Sequence, residues 1–219
     1  MSKVMFRRYL LFCVSLFVNA LGIAFITKAA LGTSPITSVT YVLSMFTPFT
    51  IGQWTIMLNL LFVVIEPFLM SCQDLKSDLR MYLLQIPISF CFGMFIDLCM
   101  HYILFWLNPL SYLNMIVALL IGCVILAVGI ALEVKANAAM MAGEYFVKVI
   151  TRRFRGEFGY IKLGFDIVLV ALACLLSLIF MSGIYGVREG TVVAALIVGP
   201  IVHFVTPYYH FLDKWITDS

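Results

Sequence analysis

Charge is what this chain lacks. Only 11% of its 219 residues are Asp, Glu, Lys or Arg, against 63% hydrophobic residues and a mean hydropathy of +1.09, a balance that cannot cover a water-soluble surface. Long polar stretches are missing too, the longest being 71 to 81 and about 135 to 160, so a separate soluble domain has no room and a single membrane domain over 1–219 is expected. No H-E-x-x-H, G-x-S-x-G, P-loop or G-x-G-x-x-G occurs, which leaves hydrolysis and nucleotide chemistry without residues and implies neither an enzyme nor a cofactor. An ion-channel filter sequence is absent as well. The six cysteines contain no C-x-x-C pair; Cys13, Cys91, Cys99, Cys123 and Cys174 fall in apolar runs and Cys72 at the end of one, so neither a disulfide framework nor a metal site is expected. The net charge of +3 comes without a basic stripe, which excludes nucleic acid and leaves the lipid bilayer as the partner.

What is present is apolar sequence in membrane-sized pieces. Runs fall near 8–28, 51–70, 82–106, 111–134, 160–182 and 190–211, each close to the roughly 20 residues a helix needs to cross the hydrocarbon. Lys3, Arg7 and Arg8 before the first run, with Ala29 and Ala30 after it, also fit a cleavable signal peptide.

An internal repeat argues against cleavage. Residues 20–29 read Ala-Leu-Gly-Ile-Ala-Phe-Ile-Thr-Lys-Ala and residues 127–136 read Ala-Val-Gly-Ile-Ala-Leu-Glu-Val-Lys-Ala. The same offset of 107 pairs Gly52 with Gly159, Asn59 with Asp166 and Val63 with Val170. The counterpart of the first run therefore lies mid-chain. Two copies follow, 8–106 and 111–211, each with three spans; three is odd, so the second copy is expected to be inverted.

Basic residues set the orientation. The N-terminus, the loop after the second run, the region after the fourth and the C-terminus, with Lys214, hold 12 of the 14 Lys and Arg residues, leaving Lys28 and Arg188 for the other side. Both termini are expected to be cytoplasmic.

Within each copy the first span precedes an apolar segment too short to cross, 35–49 and about 138–154. These are read as short helices, either re-entrant or lying at the interface. Gly32 permits a reversal, Thr33 or Ser34 can cap, and Pro35 suits the first helical position. In the second copy Asn137 is the candidate cap, Gly143 lies nearby and Glu144 aligns with Thr37. If these helices dip inward, their N-termini offer free N–H groups to an anion.

The run Ala30-Leu31-Gly32-Thr33-Ser34-Pro35, the Ile51-Gly52-x-Trp54 opening and Gly190-Thr191-Val192-Val193-Ala194-Ala195-Leu196-Ile197-Val198-Gly199-Pro200 resemble the YczE-like and YitT-like bacterial membrane proteins. The chain departs from that pattern at Thr37, where those proteins carry Asp, and at Arg188-Glu189. The resemblance implies a bacterial cytoplasmic-membrane protein of a family mostly without assigned activity.

Ionisable groups inside spans are costly, about 2.5 to 3.5 kcal/mol each on insertion scales. Asp97 and His101, four residues apart, could relay protons, and Arg188 with Glu189 is read with Asp97 as an outer charged gate. Asp166 follows Lys162 by four residues and can pair with it. Glu66 and Glu133 lie near span ends, where long side chains snorkel. His203 and His210 are read as interfacial. Lys28 and Lys135 match in the repeat and are expected to converge on one pseudo-two-fold axis beside the short helices. The candidate solute site is thus Lys28, Thr33, Ser34, Asn59, Lys135, Asn137, Glu144 and Asp166, with Asp97, His101, Arg188 and Glu189 gating. Inverted repeats with interrupted helices most often serve alternating access. The expected function is secondary transport of a small anionic or zwitterionic metabolite; a non-transporting accessory protein is the alternative, and a homodimer is compatible with either.

Overall fold

The computed structural model describes residues 3–209 and Leu212. His210 and Lys214 lie outside the described residues. Within them the chain is all helix without strands: α1 Lys3–Lys28, α2 Pro35–Phe46, α3 Ile51–Leu69, α4 Cys72–Leu98, α5 Tyr112–Ala136, α6 Ala142–Phe154, α7 Phe158–Met181 and α8 Glu189–Val205. A π-turn, Cys99–Ile103, extends α4, and a 3-10 turn, Thr206–Tyr209, extends α8. Helices are what apolar runs must form in hydrocarbon, where each backbone N–H needs a partner within its own segment. Six of these helices are long and apolar enough to cross a membrane. This is the architecture of a multi-pass membrane protein.

Local chemistry sets the helix ends. Pro35 opens α2, as its missing N–H favours. Thr50 caps α3 through a capping box with Gln53, and the Ser111 hydroxyl accepts from Asn114 N at the start of α5. Two expectations need correction. Asn137 does not open the second short helix: it closes α5 in the left-handed conformation, φ 42°, its N–H bonded to the Glu133 carbonyl at 3.2 Å. A short amide side chain tolerates that conformation, so Asn stops helices as readily as it starts them. The short helix begins later, with Met141 as a cap that offers no side-chain bond. The third span begins at Cys72, ten residues before the apolar run, because Gln73, Lys76 and Arg80 are good helix formers and carry the helix out of its apolar stretch.

The described chain divides into two compact units. The first holds residues 1–34, 95–139 and 186–219; the second holds 35–94 and 140–185. In the first unit α1 packs along α5, and α8 packs on α5. A methyl on Gly22 would sit 2.5 Å from Leu126 N, one on Gly122 2.8 Å from Ile26 N, and one on Gly129 2.8 Å from Asn19 N. As one residue number rises the other falls, so α1 and α5 run antiparallel, and glycine lets their backbones touch. In the second unit α2 and α6 each pack against both α3 and α7.

Candidate functional site

Three aromatic rings from three helices meet in the second unit. Phe62 of α3 stacks on Phe146 of α6 with ring centres 4.8 Å apart, and Phe165 of α7 lies 5.5 Å from the first and 5.7 Å from the second. Around this cluster stand three of the polar residues singled out from the sequence. Asn59 is one turn before Phe62 and 5% exposed. Glu144 lies two residues before Phe146, and Asp166 follows Phe165. Lys162 Nζ donates to both Asp166 carboxylate oxygens, at 2.6 and 2.8 Å, the pairing expected from their spacing. Lys162 and Asp166 both act electrostatically on Glu144.

Glu144, Lys162 and Asp166 offer two carboxylates and one ammonium beside apolar rings that keep the local dielectric low and charge interactions strong. On the same helix Tyr145 OH donates to Asp78 Oδ2 at 3.3 Å, and Arg152, in its last turn, donates a hydrogen bond to the same carboxylate. That hydrogen bond raises the Arg152 pKa further and fixes its positive charge.

Two buried pairs were underrated in the sequence. Gln85 Nε2 donates to Glu66 Oε2 at 2.8 Å, both residues fully buried, and Asn19 Nδ2 donates to Glu133 Oε2 at 2.9 Å. Glu66 and Glu133 therefore do not snorkel. A carboxyl within reach of an amide on the neighbouring helix has a better option than the interface, but only the helix register reveals that reach.

In the first unit the two sequence motifs dock on each other. Gly190 N donates to Leu31 O at 2.7 Å and Thr33 N to Thr191 Oγ1 at 3.2 Å, while the Thr33 and Thr27 hydroxyls are 3.0 Å apart. Thr33 is completely buried here and Ser34 is half-buried. Arg188 donates to Glu189 Oε1 at 3.1 Å and to the Ala30 carbonyl at 3.3 Å. Tyr112 OH also reaches Glu189, at 3.5 Å. Asp97 is half-buried, and the exposed His101 bonds its backbone carbonyl through Nδ1 at 3.1 Å rather than its carboxylate.

Lys28 and Lys135 do not converge. Both are half-buried in the last turns of α1 and α5, and the antiparallel register carries those last turns to opposite ends of the helix pair. Each ammonium instead lies at a helix C-terminus, where the macrodipole favours a cation.

Among the described residues no group of three or more His, Cys, Asp or Glu side chains could hold a metal. No curated protein and no solved structure matches the chain. Residues 6–207 match a family of unknown function, DUF6198, and to that family the chain belongs.

Proposed function

We propose that this protein is a secondary transporter of a small zwitterionic or anionic metabolite, with its solute site at the Asn59, Glu144, Lys162 and Asp166 cluster. One observation carries the reading: the short helices α2 and α6 each pack against both α3 and α7, and this cluster of ionisable groups stands beside α6. A short helix lying at the interface would contact fewer partners; one packed among spans lines an interior. Carboxylates beside an ammonium suit a solute carrying both signs of charge.

The sequence repeat at an offset of 107, read as inverted, supports the same reading. The offset of 107 turns Gly22 into Gly129 and Asn19 into Leu126, so the contact of Gly22 with Leu126 becomes that of Gly129 with Asn19. Antiparallel α1 and α5 agree with inversion of the second copy. Both termini then face the cytoplasm of a bacterial cell, in line with the likeness to YczE-like and YitT-like proteins.

The accessory-protein reading draws on a different observation. Only 17% of the apolar window is buried in each of α7 and α8, leaving wide apolar faces for lipid, a second copy or another membrane protein.

The two readings diverge in a comparison of small metabolites inside and outside cells that carry the protein, lack it, or carry Glu144→Gln. Transport predicts at least one anionic or zwitterionic metabolite redistributed several-fold by the wild type and not by the variant at equal membrane abundance. Identical profiles in all three would leave the accessory role.

A further inference from the structure

A cavity of about 200 Å³ opens in the second unit where the corner between α3 and α4 meets the C-terminal end of α6. Its walls include Ser71 and Asp74 from the corner and Arg152, Arg153 and Arg155 from α6 and its cap. Three arginines and one aspartate thus line it. Arg152 is committed to Asp78, whereas Arg153 and Arg155 have no ion pair among the described residues.

Two further features bear on the occupant. Arg155 sits in the left-handed conformation, φ 53°, as the C-cap of α6. Glycine fills that position without strain, and Gly156 is the next residue, so an arginine side chain is held where the backbone alone would take glycine. On the same corner and the same helix end, Phe68 and Phe154 are 85% and 72% exposed. Apolar rings flanking a basic cavity match an acyl-chain boundary beside a headgroup. The α4 N-terminus adds its partial positive charge.

We propose that this cavity binds a phosphate ester, the headgroup phosphate of an anionic phospholipid, with Arg153 and Arg155 as its cationic ligands. Guanidinium forks match phosphate oxygens in pairs, which gives geometry as well as charge. The site stands apart from the solute cluster and does not depend on transport.

The test measures the melting temperature of the purified protein in neutral detergent with phosphatidylcholine, phosphatidylglycerol or inorganic phosphate added, since a ligand that binds only the folded state raises it. Phosphatidylglycerol should raise the temperature by several degrees and phosphatidylcholine should not. The double variant Arg153→Gln/Arg155→Gln should lose most of that shift, while the control Arg7→Gln/Lys76→Gln, with the same net charge, should keep it. Arg155→Gly relieves the backbone, so it should fold at least as well as wild type and still lose part of the shift, which separates binding from folding. A shift with inorganic phosphate that the double variant abolishes would support the same chemistry with a soluble source. Equal phosphatidylglycerol shifts in wild type, Arg155→Gly and the double variant, or equal losses in the control, would overturn the site.

Discussion

Gly190→Ala and Gly32→Ala should each leave little folded protein. A methyl on Gly190 would lie 2.5 Å from Leu31 O, the atom that the Gly190 N–H itself bonds. Neither side of that contact is a flexible side chain, so the loop and the start of α8 must separate. At Gly32, φ is +116°, and a methyl would strike Thr191 Oγ1 and come within 2.9 Å of Thr191 N. Overpacking costs about 1–3 kcal/mol or more where backbone must move, as at Gly190, and at Gly32 strained backbone adds about 1–3 kcal/mol. The check is the monodisperse fraction and melting temperature after detergent extraction. Retention of both within a few degrees would mean that the clasp between the loop and α8 is dispensable.

Gly22→Val and Gly129→Val should both be strongly destabilising. A side chain at Gly22 meets Leu126 backbone at 2.5 and 2.7 Å, and one at Gly129 meets Asn19 Oδ1 and its backbone N. Both force apart the closest helix pair of the first unit. The second also displaces Asn19 from Glu133, leaving a buried carboxyl without its amide donor, which adds about 1–3 kcal/mol. Gly129→Val should therefore be the worse of the two in thermal stability. Equal wild-type stability in both would contradict the antiparallel packing.

Most of the helix plan was legible because hydrophobic run length is a direct consequence of bilayer thickness. The span near 111–134 is found as Tyr112–Ala136, and the short segment 35–49 as Pro35–Phe46. Pro35 was a dependable start, since its ring fixes φ and removes a donor that a first-turn residue does not need. Asn137 was ambiguous for a physical reason: the same amide that caps an N-terminus also tolerates the left-handed turn that ends a helix. The polar start of α4 was hidden because hydropathy measures membrane depth and not helicity.

The site was half legible. Asp166 was picked as a costly charge inside a span, Asn59 as its counterpart at the offset of 107 and Glu144 as the counterpart of Thr37, and each stands within one turn of Phe62, Phe146 or Phe165. The rings themselves gave no signal among 19 phenylalanines. Lys28 and Lys135 misled because a shared repeat position says nothing of distance from the helix crossing. That distance follows from where Gly22 and Gly129 make contact, and only the register shows it.

The central claim, a solute site inside the second unit, is tested most directly by thiol labelling at Asn59→Cys in a protein whose native cysteines are replaced by Ala. A membrane-impermeant thiol reagent applied to oriented vesicles reports whether water reaches residue 59 from either face. The account predicts labelling from at least one face, slowed several-fold when a transported solute is present at saturation. A protein that folds, inserts and stays unlabelled from both faces would contradict it.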